Sequence, residues 1–308
     1  MDQAPTHRTT LALLGIPVVL TADDAALLDA AASAYAAWRD CDAGGDEPPI
    51  HVALRSGPAA AGSAPLEVRV HEPRLTIRGA GVDGEADALL RRARCTVPPE
   101  LADDPARLAA EVLDTLALFL LTRAGRIPIH AAGVVIDGVA VVLAGPSGTG
   151  KSTLALTASR AGWPVLSDDT VYVQLAPVFR VWGFPRPIHV FPADAGRDAP
   201  ADGAMRLRSG RWKAAIPLTG PPAGLAADRA VLCLLERGDA IALHPVAAED
   251  AVRRMDAMLE PGFDDFRSAL PAAVRALAGA GAWRLTLSTV PGEALAALEA
   301  AVRGGLPA

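Results

Sequence analysis

The chain has 308 residues, enough for one large domain or two ordinary ones. Hydrophobic residues make up 51% but aromatics only 4%, so an alanine-rich core must be spread over many small contacts rather than a few large rings. A net charge of -6 leaves no basic footprint for nucleic acid. The longest apolar stretch, around Val112 to Leu121, is too short to span a bilayer and carries Asp114, so no membrane partner is expected either. Cys41, Cys95 and Cys233 stand far apart without metal-ligand spacing, which argues for reduced, structural thiols. No basic segment followed by an apolar run opens the chain, so the expected location is cytoplasmic.

Residues 8–20 read as a strand region, and Asp23 to Arg39 has helical periodicity after Thr21. Cys41 to Pro49 is a Gly, Asp and Pro loop. Short strands are expected at Ile50 to Arg55, Leu66 to Val70 and Arg74 to Arg78, completing a small α/β module over 1–100. A second domain is expected over 101–308. It opens with an amphipathic helix from Pro105 to Ala124, closed by Gly125. Ile129 to Ile136 and Val139 to Leu143 are apolar and β-branched, and Asp137-Gly138 between them is a strong hairpin signal. Further on, 193–212 is polar and reads as a mobile loop. Val231 to Leu235, Ile241 to Leu243 and Trp283 to Ser288 read as strands, with helices at Val246 to Leu259 and Gly292 to Val302.

Residues 145–152 match the phosphate-binding pattern G-x-x-x-x-G-K-[ST] in full: Gly145, Pro146, Ser147, Gly148, Thr149, Gly150, Lys151 and Ser152, with Thr153 next. An apolar strand precedes it and a helix to Arg160 follows. Glycines let successive backbone N–H groups converge on phosphate, and the helix N-terminus adds partial positive charge. Lys151 would reach the β- and γ-phosphates and the Ser152 hydroxyl would ligate Mg²⁺. Lys151 and Lys213 are the only lysines among 29 basic residues, which singles both out in a chain that otherwise uses arginine.

The strand Pro164 to Ser167 ends in Asp168-Asp169. Carboxylates at the carboxyl end of a strand near the P-loop would face the γ-phosphate, one near Mg²⁺ and the other accepting the proton of an attacking hydroxyl. A solvated turn or a helix cap would use the same residues. His130, on the first strand of the hairpin, is by itself more typical of a hydrogen-bonded core histidine than of a catalyst. Arg186, in Gly183-Phe184-Pro185-Arg186, is a candidate for the phosphates; Arg206, Arg208, Arg211 and Lys213 form a basic cluster that could close over substrate or nucleotide and equally suits a solvated loop. Trp163 and Trp212 read as packing residues.

The run HAAGVVIDGVAVVLAGPSGTGKSTLALTASRAGWPVLSDDTVYV, residues 130–173, resembles the catalytic domain of the HPr kinase/phosphorylase family and related bacterial serine kinases. Strand histidine, hairpin, P-loop, helix and Asp-Asp occur in that order. The resemblance implies an α/β P-loop kinase domain related to phosphoenolpyruvate carboxykinase, using ATP and Mg²⁺. It puts Asp168 in the role of base toward a substrate serine, Asp169 beside metal and phosphates, and His130 near the reacting phosphates. Thr153 stands where the sugar-metabolism enzyme has glutamate, and the second substrate-gripping signature is absent from 193–215. Both departures point to another acceptor, such as the peptide precursors modified by lasso-peptide kinases. The expected partners are a nucleotide and a protein or peptide substrate, with homo-oligomerisation left open. A small-molecule kinase of the shikimate or gluconate type, and a nucleotide-gated module without transfer, are the alternatives.

Overall fold

The computed structural model describes residues 7–42, 47–59, 65–195, 205–208, 211–218 and 225–304. It resolves two compact units, Met1–Arg126 and Ile127–Ala308. The division falls later than the 100/101 boundary expected from sequence. The physical reason is the long helical segment, which belongs to the first unit: Tyr35, 1% exposed, donates its hydroxyl to Asp114 of that segment at 3.0 Å.

In the first unit, β1 (His7–Leu13) and β2 (Ile16–Ala22) form a hairpin through Leu14-Gly15, both at positive φ. Then come α1 (Ala25–Ala34), β3 (Ile50–Ser56), β4 (Glu67–His71), β5 (Arg74–Gly79), β6 (Val82–Asp87) and β7 (Arg92–Val97). They make a seven-stranded mixed sheet ordered β1-β2-β3-β7-β6-β5-β4. The reading of 8–20 as one strand region resolves into two strands, and β6 and β7 are strands that the sequence reading did not contain. The expected helix 105–124 is α2 (Pro105–Leu108), a π turn over Ala109–Leu113, and α3 (Asp114–Arg123). Asp104 caps it by accepting the Arg107 N–H at 3.0 Å.

The second unit begins with β8 (Ile127–Ile136), β9 (Val139–Ala144), α4 (Lys151–Arg160), β10 (Val165–Ser167), β11 (Thr170–Gln174), β12 (Arg180–Trp182), β13 (Ile188–Val190) and α5 (Pro192–Ala195). It continues with β14 (Met205–Arg208), β15 (Arg211–Ile216), β16 (Ala226–Ala227), β17 (Arg229–Arg237), β18 (Ala242–Pro245), α6 (Ala248–Ala257), α7 (Leu270–Leu277), β19 (Ala282–Leu287) and α8 (Pro291–Arg303). The main sheet runs β16-β12-β11-β8-β9-β17-β19-β18, with β10 also paired to β8. β9, β17 and β19 are mutually parallel, whereas β8, β11 and β12 are antiparallel to their neighbours.

All six residues of β9 are buried, which explains its unbroken apolar run. Val139, Val141 and Leu143 join a core cluster with α4 and α8, and Ala140, Val142 and Ala144 join another with α6 and α7. Helices on both faces of a largely buried sheet make this an α/β fold. The expected hairpin is present, with Asp137 at φ 47 and Gly138 at φ 80. The stretch 193–212 departs from the mobile-loop expectation. β14 and β15 pair antiparallel and join β13 in a small sheet, while 196–204 and 209–210 lie outside the described residues. Among the described residues, no helix is long and apolar enough to cross a membrane. The three cysteines are free, and burial pushes the Cys95 thiol up to about 12, an inert state.

Candidate active site

The P-loop leaves the carboxyl end of β9 at the centre of the sheet and leads straight into α4. Gly148 and Gly150 have φ of +83 and +119, a backbone that L side chains rarely adopt. These two positions allow the turn whose amides converge at the start of α4. Lys151 is only 6% exposed, and its Nζ donates to the Gly145 carbonyl at 2.7 Å and to the Pro146 carbonyl at 3.4 Å. Burial lowers its pKa, opposed by the charges of Glu260 and Asp169. Ser152 and Thr153, both half-buried, follow in the first turn of α4, and Thr153 donates its hydroxyl to Asp194 at 3.4 Å.

Asp168 and Asp169 sit in the turn between β10 and β11, where the Ser167 hydroxyl accepts from the Asp169 and Thr170 amides at 3.4 and 3.2 Å. The two carboxylates have opposite environments. Asp168 is 6% exposed, and its Oδ2 accepts the His189 amide at 2.9 Å. Burial pushes its carboxyl up to about 6, the His189 hydrogen bond resists, and the Asp169 charge adds to the rise. The Asp169 side chain is 75% exposed, open to a soluble ligand.

His130 on β8 stands opposite Thr170 of β11, which brings its ring beside the aspartate turn. Its Nε2 lies 3.6 Å from Asp169 Oδ1 and its Nδ1 lies 3.1 Å from Glu260 Oε2. Burial lowers its pKa, helped by Lys151 and opposed by the two carboxylates. The structure therefore brings Lys151, Asp168, Asp169 and His130 into one cluster of interacting charges.

Two residues beside this cluster, Glu260 and Arg237, have no role in the sequence reading, whereas Lys213 is read there as one that could close over substrate or nucleotide. Glu260 belongs to the connection after α6, and only the fold brings it to His130. Arg237, at the end of β17, donates from Nη2 to the Gly148 carbonyl at 3.3 Å, so an arginine does stand on the P-loop. Lys213, which its rarity had marked, sits on β15 with Nζ 5.6 Å from the Phe191 ring centroid, and its charge acts on Asp168, His130 and Lys151. Arg186, the arginine nominated from sequence, lies with its guanidinium 4.7 Å from the Phe184 ring centroid and donates to the Pro185 carbonyl at 3.4 Å. Trp163 packs against the core as expected, but Trp212 is 61% exposed and is not a packing residue.

A glycine-rich loop at the carboxyl end of a central strand, with a buried lysine and two carboxylates across the intervening strand, defines a P-loop phosphate-binding α/β domain. Comparison with known proteins narrows this. The chain is 36% identical over 115 residues to the HPr kinase/phosphorylase of Ralstonia pickettii (strain 12J), covering 37% of this chain and 35% of that protein. It is 36% identical over 110 residues to the HPr kinase/phosphorylase of Paraburkholderia xenovorans (strain LB400), covering 35% and 33%. The chain thus spans about a third of the length of the relatives it matches. The solved HPr(Ser) kinase/phosphatase of Coxiella burnetii aligns over 57% of this chain and 94% of its own at 15% identity and a TM-score of 0.30. No protein-family model matches the chain. The sequence matches bear out the resemblance read from residues 130–173: the chain carries an HPr kinase-like domain.

Proposed function

We propose that the protein is an ATP-dependent kinase that transfers the γ-phosphoryl group to a serine or threonine hydroxyl of a protein or peptide. The carrying observation is the pairing of a buried Asp168, raised toward neutrality, with a P-loop across one strand. A nucleotide-binding module needs no proton acceptor with a raised pKa near its P-loop, whereas proton removal from a hydroxyl needs one. The likeness to the HPr kinase/phosphorylases supports a protein hydroxyl as acceptor, and the Thr153 departure supports an acceptor other than theirs. A peptide precursor fits this reading.

In the proposed reaction the loop amides and Lys151 hold the β- and γ-phosphates, and Lys151 exchanges its carbonyl partners for phosphate oxygens. Asp168 Oδ accepts the acceptor hydroxyl proton as that oxygen attacks phosphorus in line, and ADP carries away the electron pair of the broken bond. Arg237, from the loop side, and Arg186 are the candidates for balancing charge on the transferring group. His130 contributes from β8, next to Asp169.

The donor set suits Mg²⁺. Among the described residues no group of three or more His, Cys, Asp or Glu could hold a metal, so a dedicated protein cage is not what this site offers. Ser152 and the exposed Asp169 would supply two oxygen ligands, the sparse set typical of Mg²⁺ held mainly by phosphates and water. When bound, the ion would neutralise phosphate charge.

The test is transfer of label from γ-labelled ATP into the proteins and peptides of host extract, with products resolved by mass. The wild type is expected to label a protein or peptide, and Lys151→Ala to label nothing. Label confined to small metabolites would favour a small-molecule kinase. Intact nucleotide binding without any label would reject transfer. Arg237→Ala is expected to weaken ATP binding about tenfold while leaving the stability of the nucleotide-free protein unchanged, because its hydrogen bond is exposed and made to a loop carbonyl. Titration with a fluorescent ATP analogue measures this, and unaltered affinity would remove Arg237 from the site.

A further inference from the structure

His130 is held from two sides by one tetrapeptide, Glu260-Pro261-Gly262-Phe263. The Phe263 amide donates to the Glu260 carbonyl at 3.0 Å, Pro261 and Gly262 occupy the central positions, and Gly262 has φ +91. Those are the marks of a tight turn of type II, in which proline presets the first central residue and glycine alone suits the second. The turn fixes the spacing of its outer residues, and both reach the same imidazole. Glu260 Oε2 is 3.1 Å from Nδ1, and the Phe263 ring stacks on the imidazole at 5.4 Å between centroids and 16° between planes. The Gly262 amide is in turn held by Asp264 Oδ1 at 2.8 Å.

We infer that this turn is a clamp on His130 and that Glu260 is a positioning residue for phosphoryl transfer. A carboxylate can only accept a hydrogen bond, so with Glu260 Oε2 at 3.1 Å the clamp places the His130 proton on Nδ1. Nε2 is then the nitrogen presented to Asp169 and the P-loop side of the site. Phe263 removes the ring's remaining freedom by covering one face. A histidine whose outer nitrogen is pinned by a carboxylate has one tautomer and one orientation before any ligand arrives, which is how such pairs serve reaction centres elsewhere. The charged groups around the ring are Asp169 from the β10–β11 turn, Glu260 from the clamp, Lys151 from α4 and Lys213 from β15. Of these, Glu260 alone reaches Nδ1 among the described contacts. The inference rests on the kinase reading for what the clamp is for, and not for whether the clamp exists.

Two measurements separate those parts. In protein labelled with ¹⁵N-histidine, imidazole nitrogen–proton correlations report which nitrogen carries the proton. Six histidines are present, and the His130 signal is the one missing from His130→Gln. Wild type and Glu260→Gln, which keeps an acceptor oxygen, are expected to carry the proton on Nδ1. Glu260→Ala and Gly262→Ala are expected to lose that preference. Gly262→Ala touches neither contact and has nothing within 4 Å of its new Cβ, so it disturbs the clamp only through φ. In the labelled-ATP assay both alanine variants should lose about tenfold in rate at saturating ATP, with KM for ATP unchanged and Glu260→Gln close to wild type. A proton on Nε2 in wild type, or an unaltered tautomer in both alanine variants, overturns the clamp. A lost tautomer with undiminished transfer overturns the positioning role. A wild type that transfers nothing removes the kinase reading and the positioning role, while the tautomer still decides the clamp.

Discussion

Asp168→Asn is expected to make the protein more stable and to stop it transferring phosphate. The unfolded carboxyl titrates near its ordinary 3.8 and the folded one at about 6, so the folded state binds the additional proton between those values. Stability contributed by the protonated, buried acid is therefore full at low pH and lost as pH rises through that window. Above about 6 the folded protein carries a desolvated charge, and a rise of that size corresponds to a cost of about 3 kcal/mol. Asparagine removes the charge and keeps an oxygen for the His189 amide.

In nucleotide-free buffer with chelator, thermal unfolding at pH 7.5 should move upward by several degrees. The gain should shrink as pH is lowered toward 4. The same variant should bind ATP normally and lose transfer by about 10²–10⁴-fold, the usual worth of a positioned base. Wild-type transfer should in turn fall below pH of about 6, as the base becomes protonated. A variant no more stable at pH 7.5 would mean that burial does not penalise this carboxylate. A variant that still transfers would move the base to another group.

Gly183→Ala is expected to be the most damaging single methyl in the second unit. Gly183 follows β12, and its amide donates to the Leu225 carbonyl at 2.8 Å. A Cβ there would stand 2.3 Å from the Leu166 carbonyl oxygen and 2.6 Å from Leu166 Cα. Both are backbone atoms and cannot swing aside, so the strands must part, at about 2–4 kcal/mol. Leu166 precedes Ser167 and Asp168, so the displacement also reaches the proposed base. Urea unfolding should show the loss of stability with an unchanged slope. Folded variant should bind nucleotide near normally and turn over poorly. Full stability in Gly183→Ala would mean that the two backbones are not in this close approach.

This glycine shows what the sequence could and could not convey. In Gly183-Phe184-Pro185-Arg186 the arginine drew attention as a phosphate ligand, and the reason for the glycine, a neighbouring strand 17 residues earlier, was not local. The P-loop, the Asp137-Gly138 hairpin and the Asp-Asp turn were legible because each is made by consecutive residues whose backbone demands are specific. β6 and β7 were missed because their inward positions are partly small, Gly84, Ala86 and Ala93, so the alternation carries little hydrophobic contrast. Their outward charges pair across the sheet, Arg94 with Glu85 and Arg74 with Asp87, and looked like loop composition. Glu260 and Arg237 could not be nominated at all, since nothing in their own neighbourhoods distinguishes them from any surface charge. The long helix was read correctly as helical, but its π turn and its membership of the first unit depend on packing.

β8 also sets a distance. It is flanked by the P-loop strand on one side and by both β10 and β11 on the other, so a single strand's width separates the loop from the aspartates. Two inter-strand spacings come to about 10 Å. β8 thus acts as a ruler: any group seated on the loop amides must project across that fixed gap to reach Asp168, and shorter ligands fall short of it. The ruler is also hard to miscalibrate. The two-residue Asp137-Gly138 turn locks β8 against β9, so Ala131 faces Ala144 and His130 takes its place beside the loop. Slipping that register by one residue would swap the side chains packed against α4 and α8 with those packed against α6 and α7, exchanging Val139, Val141 and Leu143 for Ala140, Val142 and Ala144 in differently shaped cores.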